Sequence, residues 1–133
     1  MNLENTEASF PPFDDCLKKI RAIDDTMELL SGKWKLSILS RLCYKPMRYS
    51  EILNDIEPLS GKVLSRELKD LETNGLINRN VSNSKPPSVT YSVSDYGMSL
   101  RDLSDKIAEW GLQHRDRIRS SFREKAVAKT EQL

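Results

Sequence analysis

The sequence predicts a mainly α-helical domain that carries one small β-hairpin, and two periodic patterns support this prediction. Apolar residues recur every three or four positions through residues 14–73 and again after residue 94, which is typical of amphipathic helices. Between these regions apolar and polar residues alternate over residues 77–82 and 89–93, as in two paired strands. The 133 residues are enough for one compact domain with some chain left over at its ends.

Three helices are expected in the first part of the chain. Residues 1–13 are polar and contain a Pro-Pro pair, so they are interpreted as a flexible arm that precedes the first helix. The first helix then runs to the Ser31-Gly32 break, and the second helix includes Trp34. A short third helix follows, with Ser50 as its N-cap, and Pro58 ends it.

A fourth helix, residues 60–74, is predicted to have two opposite faces. Ser60 is a suitable N-cap, and Asn74-Gly75 is the expected left-handed stop. At about 100° per residue, the apolar stripe that faces the core consists of Leu64, Leu68 and Leu71. The opposite side, the cationic face, consists of Lys62, Arg66, Lys69 and Thr73. Three anions of this helix are expected away from the centre of that face: Glu67, Asp70 and Glu72.

The β-hairpin and a final helix complete the predicted fold. The hairpin turns through residues 83–87, which are polar and include two prolines. The last helix begins at Ser94-Asp95, and Gly97 in its first turn is expected to permit close backbone packing. The domain is therefore expected to span residues 14–124, followed by a flexible polar tail of residues 125–133.

A long apolar stripe on the last helix predicts that the chain forms a homodimer through its terminal helices. The stripe extends over residues 100–122, more than a small domain needs to cover itself, and an exposed stripe of this length favours association. The residues expected in the dimer interface are Leu17, Ile20, Leu103, Ile107, Trp110, His114 and Ile118. A two-fold dimer would present two copies of the fourth helix about 34 Å apart.

The net charge of +1 hides an uneven distribution along the chain. Residues 1–32 carry three cations and seven anions, whereas residues 33–93 carry ten cations and six anions. Residues 94–133 are nearly balanced, with eight cations and seven anions. The positive excess therefore coincides with the fourth helix, where it would mildly attract a polyanion.

The short third helix, the cationic fourth helix and the hairpin together form the pattern of a winged helix-turn-helix domain. A helix fits the major groove of DNA when one face anchors it and the other offers hydrogen-bond donors. Arg66 is expected to bond a guanine, Lys62 and Lys69 to contact phosphates, and residues 80–89 to form a wing on the minor groove or backbone. The predicted DNA contacts are Arg48, Ser50, Ser60, Gly61, Lys62, Ser65, Arg66, Lys69, Thr73, Asn83 and Lys85.

Two other interpretations of the cationic face stay open. A charged face opposite a leucine stripe is often only solvated. It could also dock an acidic protein, which would make the chain a winged-helix protein–protein interaction module without specific DNA binding. An enzyme is not expected, because the sequence has a single histidine, His114, and no nucleophile–base pair, carboxylate dyad or phosphate-binding loop. No metal site and no cofactor are predicted.

Several ordered motifs resemble those of the HxlR-type winged helix-turn-helix transcriptional regulators, a MarR-like family. These motifs are residues 31–34 (SGKW), 47–53 (MRYSEIL), 59–64 (LSGKVL), 68–77 (LKDLETNGLI) and 86–94 (PPSVTYSVS), with Gly97 and Trp110. The resemblance covers roughly residues 20–111. It implies a bacterial, dimeric transcription factor that binds double-stranded operator DNA, with residues 60–74 as its recognition helix and residues 80–89 as its wing.

The two cysteines, Cys16 and Cys43, form neither a disulfide framework nor a metal-binding spacing, which fits a reducing cytoplasm. No signal peptide and no membrane span are expected. Members of the HxlR-type family commonly carry a cysteine about thirteen residues before the tryptophan, but this chain has Arg21 there. Cys16, near the start of the first helix, is the candidate redox sensor instead, and Cys43 is expected to be buried. A small-molecule effector is possible, and the sequence does not identify it.

Overall fold

The computed structural model describes residues 13–131, and in this range the chain is mainly helical with one small antiparallel sheet, as the sequence predicts. The elements in chain order are α1 (Phe13–Leu29), α2 (Lys35–Tyr44), β1 (Met47–Arg48), α3 (Tyr49–Asp55), α4 (Gly61–Thr73), β2 (Ile77–Val81), β3 (Val89–Val93), α5 (Asp95–Met98) and α6 (Arg101–Glu131). Residues 1–12, which make up nearly all of the predicted arm, lie outside the described residues. None of the described helices is long and apolar enough to cross a membrane.

The core contains the predicted leucine stripe of α4. Leu64, Leu68 and Leu71 are buried. They join buried side chains of α2 and α3, namely Ile38, Leu39, Leu42 and Ile52. Burial of each such side chain stabilises the fold by roughly 2 kcal/mol, so a rotation of α4 about its axis would be costly. This packing holds the opposite face of α4 outward.

Both ends of α4 are formed as the sequence predicts. The hydroxyl of Ser60 accepts a hydrogen bond from the Val63 amide at 3.2 Å. At the other end Gly75 adopts a φ of +74°, which favours glycine. The Gly75 amide then bonds the Glu72 carbonyl at 2.9 Å, and the Leu76 amide bonds the Leu71 carbonyl at 2.9 Å. These two bonds stop the helix and turn the chain into β2.

The sheet has three strands, one more than the predicted hairpin. Its order is β1-β3-β2, and both pairings are antiparallel, so β3 is the central strand. β1 contains only two residues and pairs Met47 with Tyr91 and Arg48 with Thr90. A strand of two residues shows no period in the sequence, because only its partner some forty positions away defines it.

The prediction that Ser50 caps the short helix is wrong. α3 begins at Tyr49, and Arg48 is its N-cap residue, with its backbone held extended by the pairing with β3. The Arg48 amide donates to Glu51 Oε1 at 3.3 Å, which completes this end of the helix. Ser50 lies inside the first turn and is exposed. Trp34 is likewise displaced from its predicted place, because α2 begins one residue later, at Lys35, and Trp34 is the N-cap position.

The last helix also differs from its prediction at both ends. It is broken into α5 and α6, because the Ser99 and Leu100 amides bond carbonyls three residues back, at 3.1 Å and 3.0 Å, rather than four. It then continues to Glu131, seven residues beyond the predicted domain end at residue 124. Residues 125–131 are rich in Lys, Ala and Glu, which have high helix propensity.

Candidate nucleic-acid interface

The cationic face of α4 is exposed to solvent along its whole length. Lys62, Arg66, Lys69 and Thr73 are all exposed in the structure. The Arg66 side chain is 65 % exposed, and its Nε lies 3.4 Å from Glu67 Oε1. This single long contact leaves the two terminal nitrogens of the guanidinium available to an external acceptor. The structure thus brings the four residues together on one surface, and their contact with DNA stays a prediction.

Tyr49 fixes the start of α4 against α3. Its hydroxyl donates a hydrogen bond to the Gly61 carbonyl at 2.9 Å and lies 3.2 Å from the hydroxyl of Ser65. A Cβ at Gly61 would lie 2.9 Å from that hydroxyl oxygen, which is tighter than normal contact. The small residue at position 61 therefore has a packing reason in addition to its predicted role as a phosphate contact.

The side of α4 next to the leucine stripe carries an ion-pair network that sequence reasoning missed. Lys35 Nζ lies 2.9 Å from Glu67 Oε2 and 3.2 Å from Asp70 Oδ2, and it donates to the Ser31 carbonyl at 3.1 Å. Lys35 and Glu67 are both buried, at 5 % and 4 % exposure. One signal was present in the sequence, since Glu67 lies about 60° from Leu64 on the helical wheel and so beside the apolar stripe.

The network has a defined electrostatic state. Burial by itself disfavours the ammonium of Lys35, but the hydrogen bonds and charges of Glu67 and Asp70 outweigh it and raise the pKa of Lys35 above its ordinary value of 10.5. The lysine therefore stays charged and offsets two carboxylates at the back of α4. Without this neutralisation, the buried carboxylate of Glu67 would weaken the positive potential of the cationic face.

The hairpin tip and the start of α3 extend the exposed polar surface. Asn83 and Lys85 are exposed at the tip, where Ser82 Oγ accepts a bond from the Ser88 amide at 2.9 Å and closes the turn. Arg48 and Ser50 are exposed at the start of α3. Ten of the eleven predicted DNA contacts are therefore exposed, and the remaining one, Gly61, is partly buried.

A second surface, on α1 and α6, is apolar. Among the predicted interface residues, Ile20 is 52 % exposed and Trp110 is 66 % exposed, and the Trp110 and His114 rings stack at 5.1 Å. Leu103, Ile107 and Ile118 are exposed as well, and Leu17 is partly buried. Two further apolar residues of α1, Ile23 and Met27, line a groove of about 490 Å³ together with Leu103 and Ile107. The side chains of these four groove residues are each more than one third exposed within one chain.

The two cysteines lie on α1 and α2, and neither lines the apolar groove. Cys16 is partly buried in the first turns of α1, and Cys43 is partly buried rather than fully buried in α2. Burial raises the pKa of the Cys43 thiol, as does Asp105, whereas Arg101 lowers it. A higher pKa makes this thiol less reactive. In the described part of the chain no group of three or more His, Cys, Asp or Glu side chains could hold a metal ion.

A short helix, a tight turn, an outward cationic helix and a hairpin define the class of winged helix-turn-helix proteins. Within this class, the model of the HxlR-like helix-turn-helix family matches residues 29–119. The chain therefore belongs to the HxlR family of transcriptional regulators, as the sequence motifs predict. Proteins of this family are regulators rather than enzymes.

Several relatives show the same relationship. The uncharacterized HTH-type transcriptional regulators YtcD and YdzF of Bacillus subtilis (strain 168) are 38 % identical over 97 residues and 42 % identical over 98 residues. Each alignment covers 73 % of this chain, with 77 % of YtcD and 90 % of YdzF. The crystal structure of YtcD superposes with a TM-score of 0.68 over 71 % of this chain and 96 % of its own. The redox regulator HypR in its reduced form is 27 % identical and superposes with a TM-score of 0.70, over 74 % of this chain and 98 % of its own.

Proposed function

We propose that this HxlR-family regulator acts in the cytoplasm as a homodimer that binds operator DNA. In this proposal α4, within residues 60–74, enters the major groove, and the wing, residues 80–89, lies on the adjacent minor groove or backbone. The observation that carries the proposal is the outward position of three cations on α4, held there by the buried leucines on its other side. The same arrangement is the one by which a helix-turn-helix presents donors to base edges.

The roles within the interface follow from the chemistry of each side chain. Arg66 has the planar donor pair that matches guanine O6 and N7, so we assign it to base recognition. Lys62, Lys69 and Lys85 are flexible point charges that suit phosphates. The remaining predicted contacts are assigned to the sugar-phosphate backbone of the DNA: Arg48, Ser50, Ser60, Gly61, Ser65, Thr73 and Asn83. Phosphate contacts position the protein, and base contacts select the sequence.

Replacing Arg66 by alanine is expected to reduce affinity for the operator by about tenfold or more, and to reduce affinity for a scrambled duplex much less. The measurement is fluorescence anisotropy with a duplex from the DNA upstream of the protein's own gene, at several salt concentrations. Lys62→Ala should instead weaken binding to both duplexes alike and lower the salt slope by about 1.8, because the homodimer loses one phosphate contact in each protomer. Lys125→Ala, an exposed lysine of α6, is the control.

Other outcomes would change the interpretation. Wild-type protein that binds neither duplex at low salt would refute the DNA-binding function and favour the protein-interaction module. Equal losses on both duplexes for Arg66→Ala would keep DNA binding but remove Arg66 from base recognition. Binding to the two duplexes with equal affinity would mean either that the operator lies elsewhere in the genome or that specific binding requires a ligand.

The dimer is proposed to form through α1 and α6, with Leu17, Ile20, Leu103, Ile107, Trp110, His114 and Ile118 in its interface. A face with this many exposed apolar side chains is characteristic of a homodimer interface. Two-fold symmetry would then place two α4 helices on half-sites about one helical turn apart.

Trp110→Glu is expected to convert the dimer to a monomer at micromolar concentration, because it replaces a large exposed aromatic side chain of the apolar face by a charge. Since Trp110 is 66 % exposed within one chain, the folded monomer should survive. The measurement is sedimentation velocity, with circular dichroism to verify folding. Asp116→Asn, on the opposite side of α6, is the matched control and should remain a dimer. A wild-type protein that is already monomeric would contradict this proposal.

The redox role of Cys16 is a separate proposal and a narrower one. Its support is the fold similarity to the redox regulator HypR and the partial exposure of Cys16 near the start of α1. The chain has Arg21 where the family commonly has its cysteine, so any sensing thiol would occupy a different site on α1.

A further inference from the structure

A polar cleft separates the recognition helix α4 from the sheet that carries the wing. It has a volume of about 420 Å³, and we call it the wing cleft. The lining groups that could bind a ligand are Tyr49, Ser65, Lys69, Glu72, Arg79 and Tyr91. Two of them are cations on facing elements, Lys69 on α4 and Arg79 on β2, and the sequence interpretation gave Arg79 no function.

Arg79 occupies a position in β2 where a core residue would normally be expected. Side chains alternate between the two faces of a strand, so Arg79 shares its face with Ile77 and Val81. Ile77 is buried at 2 % exposure, whereas Val81 is 52 % exposed, so this face of the sheet leaves the core at Arg79. Arg79 pairs with Tyr91 across the hairpin. The Arg79 side chain therefore lies where β2 diverges from α4, and it lines the wing cleft.

Arg79 is also available for a ligand. It is exposed and forms no ion pair with any carboxylate among residues 14–130. Its charge thus has no structural partner to explain it. An exposed arginine in the inward series of a strand contributes little to packing, which favours a binding role over a stabilising one.

The path of DNA in the proposed complex leads over this cleft. A major groove and the neighbouring minor groove are separated by one sugar-phosphate strand. If α4 lies in the first and the wing in the second, that strand must cross between them, above the wing cleft. We propose that the wing cleft binds a phosphate of this strand and that Arg79 and Lys69 hold it from opposite sides, an inference that rests on the proposed function.

The other lining groups fit a phosphate with one exception. Tyr49 uses its hydroxyl on the Gly61 carbonyl, but the hydroxyl of Ser65, 3.2 Å away, can turn towards an added acceptor. Glu72 opposes the ligand by its charge. Lys69 and Arg79 together outweigh Glu72, so the cleft keeps an excess of one positive charge. Glu72 lies three positions after Lys69 on α4, so the two side chains are close enough to interact. Removal of the Glu72 charge should therefore strengthen binding.

The test is the salt dependence of binding by Arg79→Ala, Arg79→Lys and Glu72→Gln, on both the upstream duplex and its scrambled form. Arg79→Ala should lower the slope of log affinity against log salt by about 1.8, that is, about 0.9 for each of the two phosphates that the homodimer would lose. Between 50 and 200 mM salt its deficit relative to wild type should therefore shrink by about twelvefold. Arg79→Lys should keep most of the slope, and Glu72→Gln should bind both duplexes more tightly. Arg117→Ala, an exposed arginine of α6, should match wild type.

A duplex with single neutral methylphosphonate groups locates the contact. One position next to the half-site should weaken the wild type but not Arg79→Ala, because the two changes remove the same interaction. The melting temperature of Arg79→Ala should stay within a few degrees of wild type, since its side chain has no partner to lose.

Three results would overturn the inference. Wild type that binds neither duplex would remove the proposed function and this inference with it. A wild type that binds, with Arg79→Ala unchanged in slope, would remove only the phosphate in the wing cleft. A loss for Arg79→Ala confined to the upstream duplex would show base recognition rather than phosphate binding, and would also refute it.

Discussion

Replacing Lys35 by methionine is expected to lower the free energy of unfolding by about 3–5 kcal/mol. The substitution keeps the apolar stem but removes the ammonium. The Glu67 carboxylate, at 5 % side-chain exposure, then loses its buried counter-ion and keeps only the 3.4 Å contact with the exposed Arg66. Chemical denaturation at a fixed protein concentration measures this loss, because a dimer's stability depends on concentration.

Two companion variants separate the buried charge from the other contacts of Lys35. In Lys35→Met with Glu67→Met, both charges are gone, and most of the stability should return, since a buried ion pair can often be replaced by apolar side chains. Asp70→Asn should cost less than about 1 kcal/mol, because Asp70 is 49 % exposed and solvent screens its charge. If the double variant were as unstable as Lys35→Met, the unpaired charge would not be the cause.

The pH dependence of this effect has a definite sign. Because the pKa of Lys35 is raised in the folded state, its contribution is fully present below its ordinary pKa of 10.5 and is lost as the pH rises through the higher folded value. The difference in stability between wild type and Lys35→Met should therefore be constant at neutral pH and narrow in strongly alkaline solution. A difference that narrowed between pH 6 and 9 would point to another group.

Replacing Gly97 by alanine is expected to destabilise the fold by about 3 kcal/mol or more. An added Cβ would lie 2.0 Å from the Leu76 carbonyl oxygen and 2.9 Å from Val93 Cγ2. The first of these atoms belongs to the backbone, so no change of rotamer can relieve the contact. Tyr96→Ala is the control, since Tyr96 is 63 % exposed and its loss should change stability by no more than about 0.5 kcal/mol.

Gly97 and Leu76 meet at a junction that holds α4 and the hairpin in their relative orientation within the proposed DNA interface. The Ser94 hydroxyl accepts a bond from the Gly97 amide at 2.9 Å and donates to the Gly75 carbonyl at 2.6 Å, while the Ser94 amide bonds Leu76. These bonds join the end of α4 to the end of β3. Any Gly97→Ala protein that remains folded should therefore lose DNA affinity as well. If Gly97→Ala had the same melting temperature and DNA affinity as the wild type, the backbone at this junction would be able to move and relieve the contact.

Signals that act over a few residues predicted the ends and the buried side of α4 well. Ser60, Gly75 and the leucine stripe of α4 each reflect local backbone and packing rules, and all three are confirmed. Gly97 was expected to permit close packing, and the contact with Leu76 confirms this. The exposed side of α4 follows directly, because the buried side determines which residues remain outside.

Features defined by a distant partner were missed. β1 is a strand only because β3 pairs with it, and this pairing in turn moved the helix cap from Ser50 to Arg48. Lys35 and Glu67 are 32 positions apart, and although Glu67 lies beside the leucine stripe, neither residue by itself identifies the other as its partner. In the sequence, Arg79 is one residue of an alternating strand pattern, and only the divergence of β2 from α4 places it on the wing cleft.

The sequence by itself determined the helices, the hairpin, the outward cationic face and the family, because periodicity, capping and ordered motifs are all properties of neighbouring residues. Only the tertiary structure decided that Lys35 neutralises the back of α4 and that Arg79 opens into the wing cleft. The physical reason is that burial, ion pairing and the divergence of two elements depend on contacts between segments that are far apart in the chain. A pattern of neighbouring residues carries no information about such contacts.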